Sequence, residues 1–213
     1  MTDKAGGESA EQIRVTELRE LAPKRFLAGF SDGAELRLSL DTVAALSLYK
    51  GRALSPEAYA GLRSAAALSA CKERALRLIG ARPLSKKELF NKLTEKGETP
   101  ENAEECVGWL ERLHYLDDAQ YAGMIVRHYA GKCFGARRIK GELYRRGVPR
   151  ALWDEALAAL DGTEERVYEL LRRRLGGEMP DRAGLKKAAD ALSRRGFSWD
   201  EINAAVRRYR EEN

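Results

Sequence analysis

The sequence predicts a mainly α-helical protein: tandem three-helix repeats, three units in an elongated stack, with a small N-terminal unit containing a β-hairpin. Three observations predict it. First, a helix-stop pattern recurs at Gly97, Gly147 and Gly196, 50 and then 49 residues apart. Four residues before each glycine stand Leu93, Leu143 and Leu192, and one residue before stand Lys96, Arg146 and Arg195. Nine residues after come the small Cys106, Ala156 and Ala205; ten after, Val107, Leu157 and Val206; thirteen after, Leu110, Leu160 and Tyr209. A fixed period of this size marks stacked helical units, each unable to bury its apolar face alone. Second, charged residues make up 33% and aromatics 8%, which suits several modest cores built from Ala and Leu. Third, Ser31-Asp32-Gly33 lies between Phe26–Phe30 and the alternating run Glu35–Leu40, a hairpin signal.

In chain order, residues 1–11 are Gly-rich and polar and read as a disordered tail. Residues 12–62 form the β-containing unit, with a strand around Ile13-Arg14-Val15, the hairpin, a short helix over Leu40–Leu48 starting near Asp41, and another opened by Ser55-Pro56. A lone hairpin is marginal, so a third strand or a helix must cover it. Repeat one spans 63–116. Its Ala-rich first helix runs from Gly61 to Arg82 and is ended by Pro83, Ser85 and Glu88 form a capping box, and Thr99-Pro100 starts its third helix. Repeat two spans 117–161. Asp117 is its N-cap, and Leu116 and Tyr121 are placed to pack across the helix start. Repeat three spans 162–213, with Ser198 and Glu201 capping the last helix. Trp109, Trp153 and Trp199 occupy different repeat positions and read as packing residues.

The stretch Phe134–Arg150 organises the rest. On a helix over 136–146, Ala136, Ile139 and Leu143 fall on one apolar stripe, while Arg137, Arg138, Gly141, Tyr144 and Arg145 fall on the opposite face. Gly147 ends this helix and Pro149 precedes the next. Positive charge concentrates here and beyond: residues 124–213 hold 20 Lys and Arg against 14 Asp and Glu, whereas the whole chain carries a net +5. The candidate partner-binding residues are Lys132, Arg137, Arg138, Lys140, Tyr144, Arg145, Arg146 and Arg150 in repeat two. In repeat three they are Arg172, Arg173, Arg174, Arg194, Arg195, Arg207 and Arg208. Arginine outnumbers lysine, which suits fork-like recognition of carboxylate or phosphate. Both signs are abundant, so a solvated helical surface also accounts for the charge.

Other chemistry lacks its residues. Cys71, Cys106 and Cys133 form no C-x-x-C pair, and Cys106 sits at a small core position. His128 and Cys133 have no further ligands to complete a metal site, and the pair Asp117-Asp118 reads as capping. No phosphate-cradling glycine loop and no G-x-S-x-G elbow is present. The expectation is a non-enzymatic, cytoplasmic monomer without cofactor, metal or membrane segment.

Asp117–Ala122 with Gly135–Val148 closely resembles the central segment of RecX proteins. Ser85–Gly97 is similar to their opening repeat and Leu192–Ile202 to their closing one, so the resemblance covers about residues 72–212. Ala188 and Ala189 are smaller than Leu89 and Phe90, and Gly176-Gly177 loosens a loop, so the third unit departs from the pattern of the first. The resemblance implies a negative modulator of the recombinase RecA. Such a protein lies in the groove of the RecA filament on single-stranded DNA and hinders filament extension, ATP hydrolysis and strand exchange. A stand-alone DNA-binding module, and an adaptor for another acidic protein, are the other readings.

Overall fold

The computed structural model describes residues 12–160, 162–176 and 180–212; the tail expected over 1–11 lies outside them. The N-terminal unit is a four-stranded antiparallel sheet of β1 (Ile13–Ala22), β2 (Arg25–Phe30), β3 (Glu35–Ser39) and β4 (Ala53–Leu54), in the order β3-β2-β1-β4. The hairpin is where the Asp-Gly turn places it. β1 is longer than its sequence pattern indicates, because register shifts between Val15 and Glu17 and between Glu20 and Ala22 break the two-residue alternation. Helix α1 (Leu40–Ala45) begins where expected, capped by Ser39 with Asp41 in its first turn, and ends three residues before Leu48.

Helix α2 (Pro56–Ala81) begins on Ser55, whose hydroxyl accepts the Ala58 N–H at 3.2 Å. Two helices are expected here and one is found, about 39 Å long. Nothing between Gly61 and Ala81 interrupts it, and Ala65-Ala66-Ala67 favours continuation. Its first half (Tyr59, Leu62, Ala66) closes the sheet's core over Val15, Ala28, Phe30 and Leu38. Its second half (Cys71, Ala75) enters the core of unit one with Leu89, Leu93, Cys106 and Leu110. The Tyr59 hydroxyl donates to Asp32 at 2.7 Å and pins the hairpin turn to α2.

Unit one continues with α3 (Lys86–Thr94) and α4 (Pro100–Arg112). Unit two holds α5 (Asp118–Gly131), α6 (Ala136–Arg145) and, after a 3-10 turn at Arg150–Leu152, α7 (Trp153–Ala158). Unit three holds α8 (Thr163–Leu175), α9 (Arg182–Arg194) and α10 (Trp199–Glu212). Each unit has its own core, with Leu93, Leu143 and Leu192 at its centre. Gly97, Gly147 and Gly196 have φ of 88°, 68° and 93°, the left-handed conformation that makes glycine the stop residue. Leu116 joins the core of unit one and Tyr121 that of unit two, so the expected packing between them is replaced by a division across the boundary. Trp153 is tied to its unit by its indole N–H to the Val148 carbonyl at 3.0 Å, but Trp199 is 52% exposed and is not a packing residue.

The units join through their second helices, head to tail. Helix α6 has no side-chain cap; its Gly135 and Arg137 N–H groups donate to the Arg195 and Gly196 carbonyls at the end of α9, at 3.0 and 3.1 Å. At the other seam the Ser85 hydroxyl accepts the Glu88 N–H of its own helix and donates to the Arg146 carbonyl at the end of α6. Glu88 does not reach back to complete the capping box; it pairs with Arg82. The Lys86 N–H donates to Asp118 of unit two at 2.9 Å. Orphan donors of one helix thus meet orphan acceptors or an acid of the next unit. Helix α9, last in the row, is capped by its own Asp181, which accepts the Gly184 N–H at 2.7 Å.

The seam between units two and three admits no side chain. A Cβ on Gly135 would lie 2.4 Å from the Gly196 backbone, and one on Gly196 2.4 Å from the Arg138 nitrogen. Gly135→Ala and Gly196→Ala are therefore expected to destabilise the chain by about 2 kcal/mol or more. Gly141→Ala, with nothing within 4 Å of its added Cβ, is expected to stabilise it by about 0.5–1 kcal/mol. Thermal unfolding of the three variants checks both signs.

Candidate partner-binding face

The outer face of α6 is as the periodicity predicts: Ile139 and Leu143 are fully buried, and Arg137, Arg138, Lys140, Gly141, Tyr144 and Arg145 are exposed. A cleft opens at each end of this face. The one over the seam with unit three, about 400 Å³, is lined by Arg137, Arg138, Gly141, Glu142, Arg145, Ser193, Arg194 and Gly196. The one over the seam with unit one, about 640 Å³, brings Lys86, Lys87, Glu88 and Asn91 of α3 and Asp118 of α5 to Tyr144, Arg145, Arg146, Arg150 and Trp153, five cations against two acids. Arg145 belongs to both, so the clefts form one basic track across α6.

The arginines divide by what they already hold. Arg137 donates to the Ser193 carbonyl at 2.7 Å and its hydroxyl at 3.2 Å. Arg195 donates to the Lys132 and Cys133 carbonyls at 3.3 Å and lies 5.7 Å from the Phe134 ring. Arg146 is partly buried and donates to the Tyr121 hydroxyl at 2.7 Å. Arg137 and Arg195 hold units two and three together, while Arg146 ties α6 to α5 within unit two, beside the seam with unit one. Arg138 and Arg145 flank the buried Glu142. Burial opposes ionisation of Glu142, but Arg145, the Tyr129 hydroxyl and Arg138 outweigh it and hold the carboxyl below the usual glutamate value. At the other seam burial dominates and raises the Asp118 carboxyl, against the Lys86 N–H that it accepts.

Arg150 stacks on Trp153 at 5.7 Å, and Arg172 lies 4.0 Å from Glu169. Arg208 is held by Glu165 at 2.6 Å and Glu212 at 2.8 Å, and Arg207 and Arg208 on α10 line neither cleft. Arg173 and Arg174 sit with Arg195 around a separate dimple on α8 and α9. Lys132, Lys140, Arg173, Arg174, Arg194 and Arg207 are exposed, with side chains unpaired among the described residues. The sequence reading passed over Lys86 and Lys87. The repeat register carried a signal, since Lys87 stands where Arg137 stands in unit two, ten residues before the stop glycine. Among the described residues no group of His, Cys, Asp or Glu is arranged to hold a metal, and no helix is long and apolar enough to cross a membrane.

Models of the first, second and third three-helix domains of RecX match residues 71–110, 117–157 and 163–206. The Regulatory protein RecX of Xanthomonas axonopodis pv. citri (strain 306) is 39% identical over 137 residues, 63% of this chain and 85% of that protein. The chain belongs to the RecX family. The RecX of Stenotrophomonas maltophilia (strain R551-3) is 38% identical over 137 residues, covering 63% of this chain and 84% of its own. Among solved structures, a crystal structure of a regulatory protein RecX superposes with a TM-score of 0.71 at 19% identity, covering 90% of this chain and 97% of its own. RecX from Lactobacillus salivarius gives a TM-score of 0.64 at 22% identity, covering 68% and 97%. At these identities the two structures support the fold: RecX three-helix units behind a small strand-containing unit.

Glu142 ties the RecX-type α6 face together only while ionised. Because its folded-state value is depressed, its contribution is complete above the ordinary glutamate range and is lost as pH falls through the depressed value. Glu142→Gln is expected to lower the melting temperature at neutral pH, with the gap from the parent closing on acidification. Thermal melts across a pH series measure this.

Proposed function

We propose that this RecX-family chain is a negative modulator of RecA. It docks along the groove of the RecA filament on single-stranded DNA and hinders filament extension, ATP hydrolysis and strand exchange. The observation that carries the reading is the basic track over α6, continued at both seams and unobstructed at Gly141. A rigid, elongated row of helices suits a helical groove, and its cations suit acidic filament surface or phosphate. The family's regulatory name supports the same reading. The chain acts without cofactor or catalysis, as a cytoplasmic monomer, with units at 12–62, 63–116, 117–161 and 162–213. Lys132, Lys140, Arg173, Arg174 and Arg194 make the outward contacts, and Arg137, Arg146 and Arg195 hold the track in shape.

The test is the RecA ATPase on single-stranded DNA, titrated with this protein. Inhibition is expected, and an unchanged rate at saturation overturns the reading. Lys87→Glu with Arg194→Glu, one in each cleft, is expected to weaken inhibition about tenfold or more without changing the melting temperature, whereas Arg207→Glu, outside both clefts, has a smaller effect. A stand-alone DNA-binding module predicts instead that bare DNA binds as tightly as the filament, with affinity falling steeply as salt rises.

A further inference from the structure

The N-terminal unit carries a feature that the basic track does not use. Tyr49 is 59% exposed at the tip of the loop between α1 and β4. The Arg52 guanidinium lies 5.9 Å from its ring. Lys50 is beside it, and Arg14 lies on the neighbouring strand, paired with Ala53. None of Arg14, Lys50 and Arg52 has a carboxylate partner among the described residues. We propose that Tyr49, Lys50 and Arg52, with Arg14, form a second contact site, one for single-stranded nucleic acid.

The loop is built to hold the ring out. Leu48 is buried in the sheet's core on one side of Tyr49. On the other side the turn is stitched to β1: the Gly51 N–H donates to the Val15 carbonyl at 2.7 Å, and the Val15 N–H to the Arg52 carbonyl at 2.9 Å. The Arg52 N–H closes the turn on the Tyr49 carbonyl at 3.0 Å. Gly51 takes a φ of 94°, which suits glycine. Arg52 Nε is buried without a hydrogen-bond partner, so the stem of this arginine is packed while its head reaches the ring. An exposed ring with Arg52 over it, Lys50 next in the chain and Arg14 on the adjoining strand, none of them paired to a carboxylate among the described residues, matches stacking on a base with cations on the adjacent phosphates. An acidic protein surface would use the cations and leave the tyrosine face idle. The site precedes α2 in the chain, on the unit that packs against the helix's first half, whereas the second half enters unit one. A strand held there and at the basic track is gripped at two separated points.

The measurement is fluorescence anisotropy of a labelled oligothymidylate with the full chain and no RecA, so this proposal and the reading of the basic track fail separately. Tyr49→Ala is expected to weaken binding at least about fivefold while Tyr49→Phe retains it. Lys50→Gln and Arg52→Gln are each expected to make the salt dependence shallower by about 0.7 in log–log slope. Ultraviolet cross-linking to a 5-iododeoxyuridine oligonucleotide is expected to mark Tyr49. Binding by Tyr49→Ala within about twofold of the parent, cross-links confined to units two and three, or competition by polyglutamate as strong as by unlabelled oligothymidylate overturns the proposal.

Discussion

Everything in the repeat region depends on how three short helices end. An α-helix leaves donors unpaired at its start and acceptors unpaired at its finish. Here α9 offers its terminal carbonyls to the start of α6, and α6 offers one of its own to the start of α3. The aligned dipoles favour the same arrangement. The contact works at backbone distance only because Gly135 and Gly196 have no side chains to hold them apart. The three repeat cores are therefore linked by a few hydrogen bonds at helix ends and the acid Asp118, and the continuous α2 joins the sheet's core to the first of them.

This arrangement divides the arginines into two kinds. Arg137, Arg146 and Arg195 are mortar: each guanidinium bonds a carbonyl or a hydroxyl at or beside a seam. Lys140, Arg173, Arg174 and Arg194 face outward with no internal duty. Reversing a residue of the first kind changes how the units sit, and any loss of binding then follows from shape. Reversing one of the second kind removes charge alone. The acids lining the track are already engaged: Glu142 is buried and bound by Arg145 and Arg138, Glu88 pairs with Arg82, and Asp118 accepts the Lys86 N–H, leaving the surface net positive.

The repeat architecture was legible because glycine in the left-handed region has few substitutes, and Gly97, Gly147 and Gly196 keep the period that such a stop imposes. The apolar stripe of Ile139 and Leu143 was legible for the same reason that any amphipathic helix is. Strand β1 was only partly legible, since its bulges displace Leu18 from simple alternation with Val15. The roles of Arg137 and Asp118 were not legible. Both look like surface residues along the chain, and their partners, Ser193 and the Lys86 N–H, lie 56 and 32 residues away. Local pattern indicates which face a residue occupies; it does not say which distant helix end arrives there.

One feature of the row bears on orientation. Its links all run the same way, N-terminus receiving C-terminus, and α9 starts on its own Asp181 cap. Such an object has no internal two-fold and differs at its two extremities: one is a β-sheet at the start of a long helix, the other a three-helix unit. Set against any track that itself has a forward and a backward sense, it fits one way round and not the other. The vector of peptide dipoles that glues the units together thus also gives the whole molecule an arrowhead.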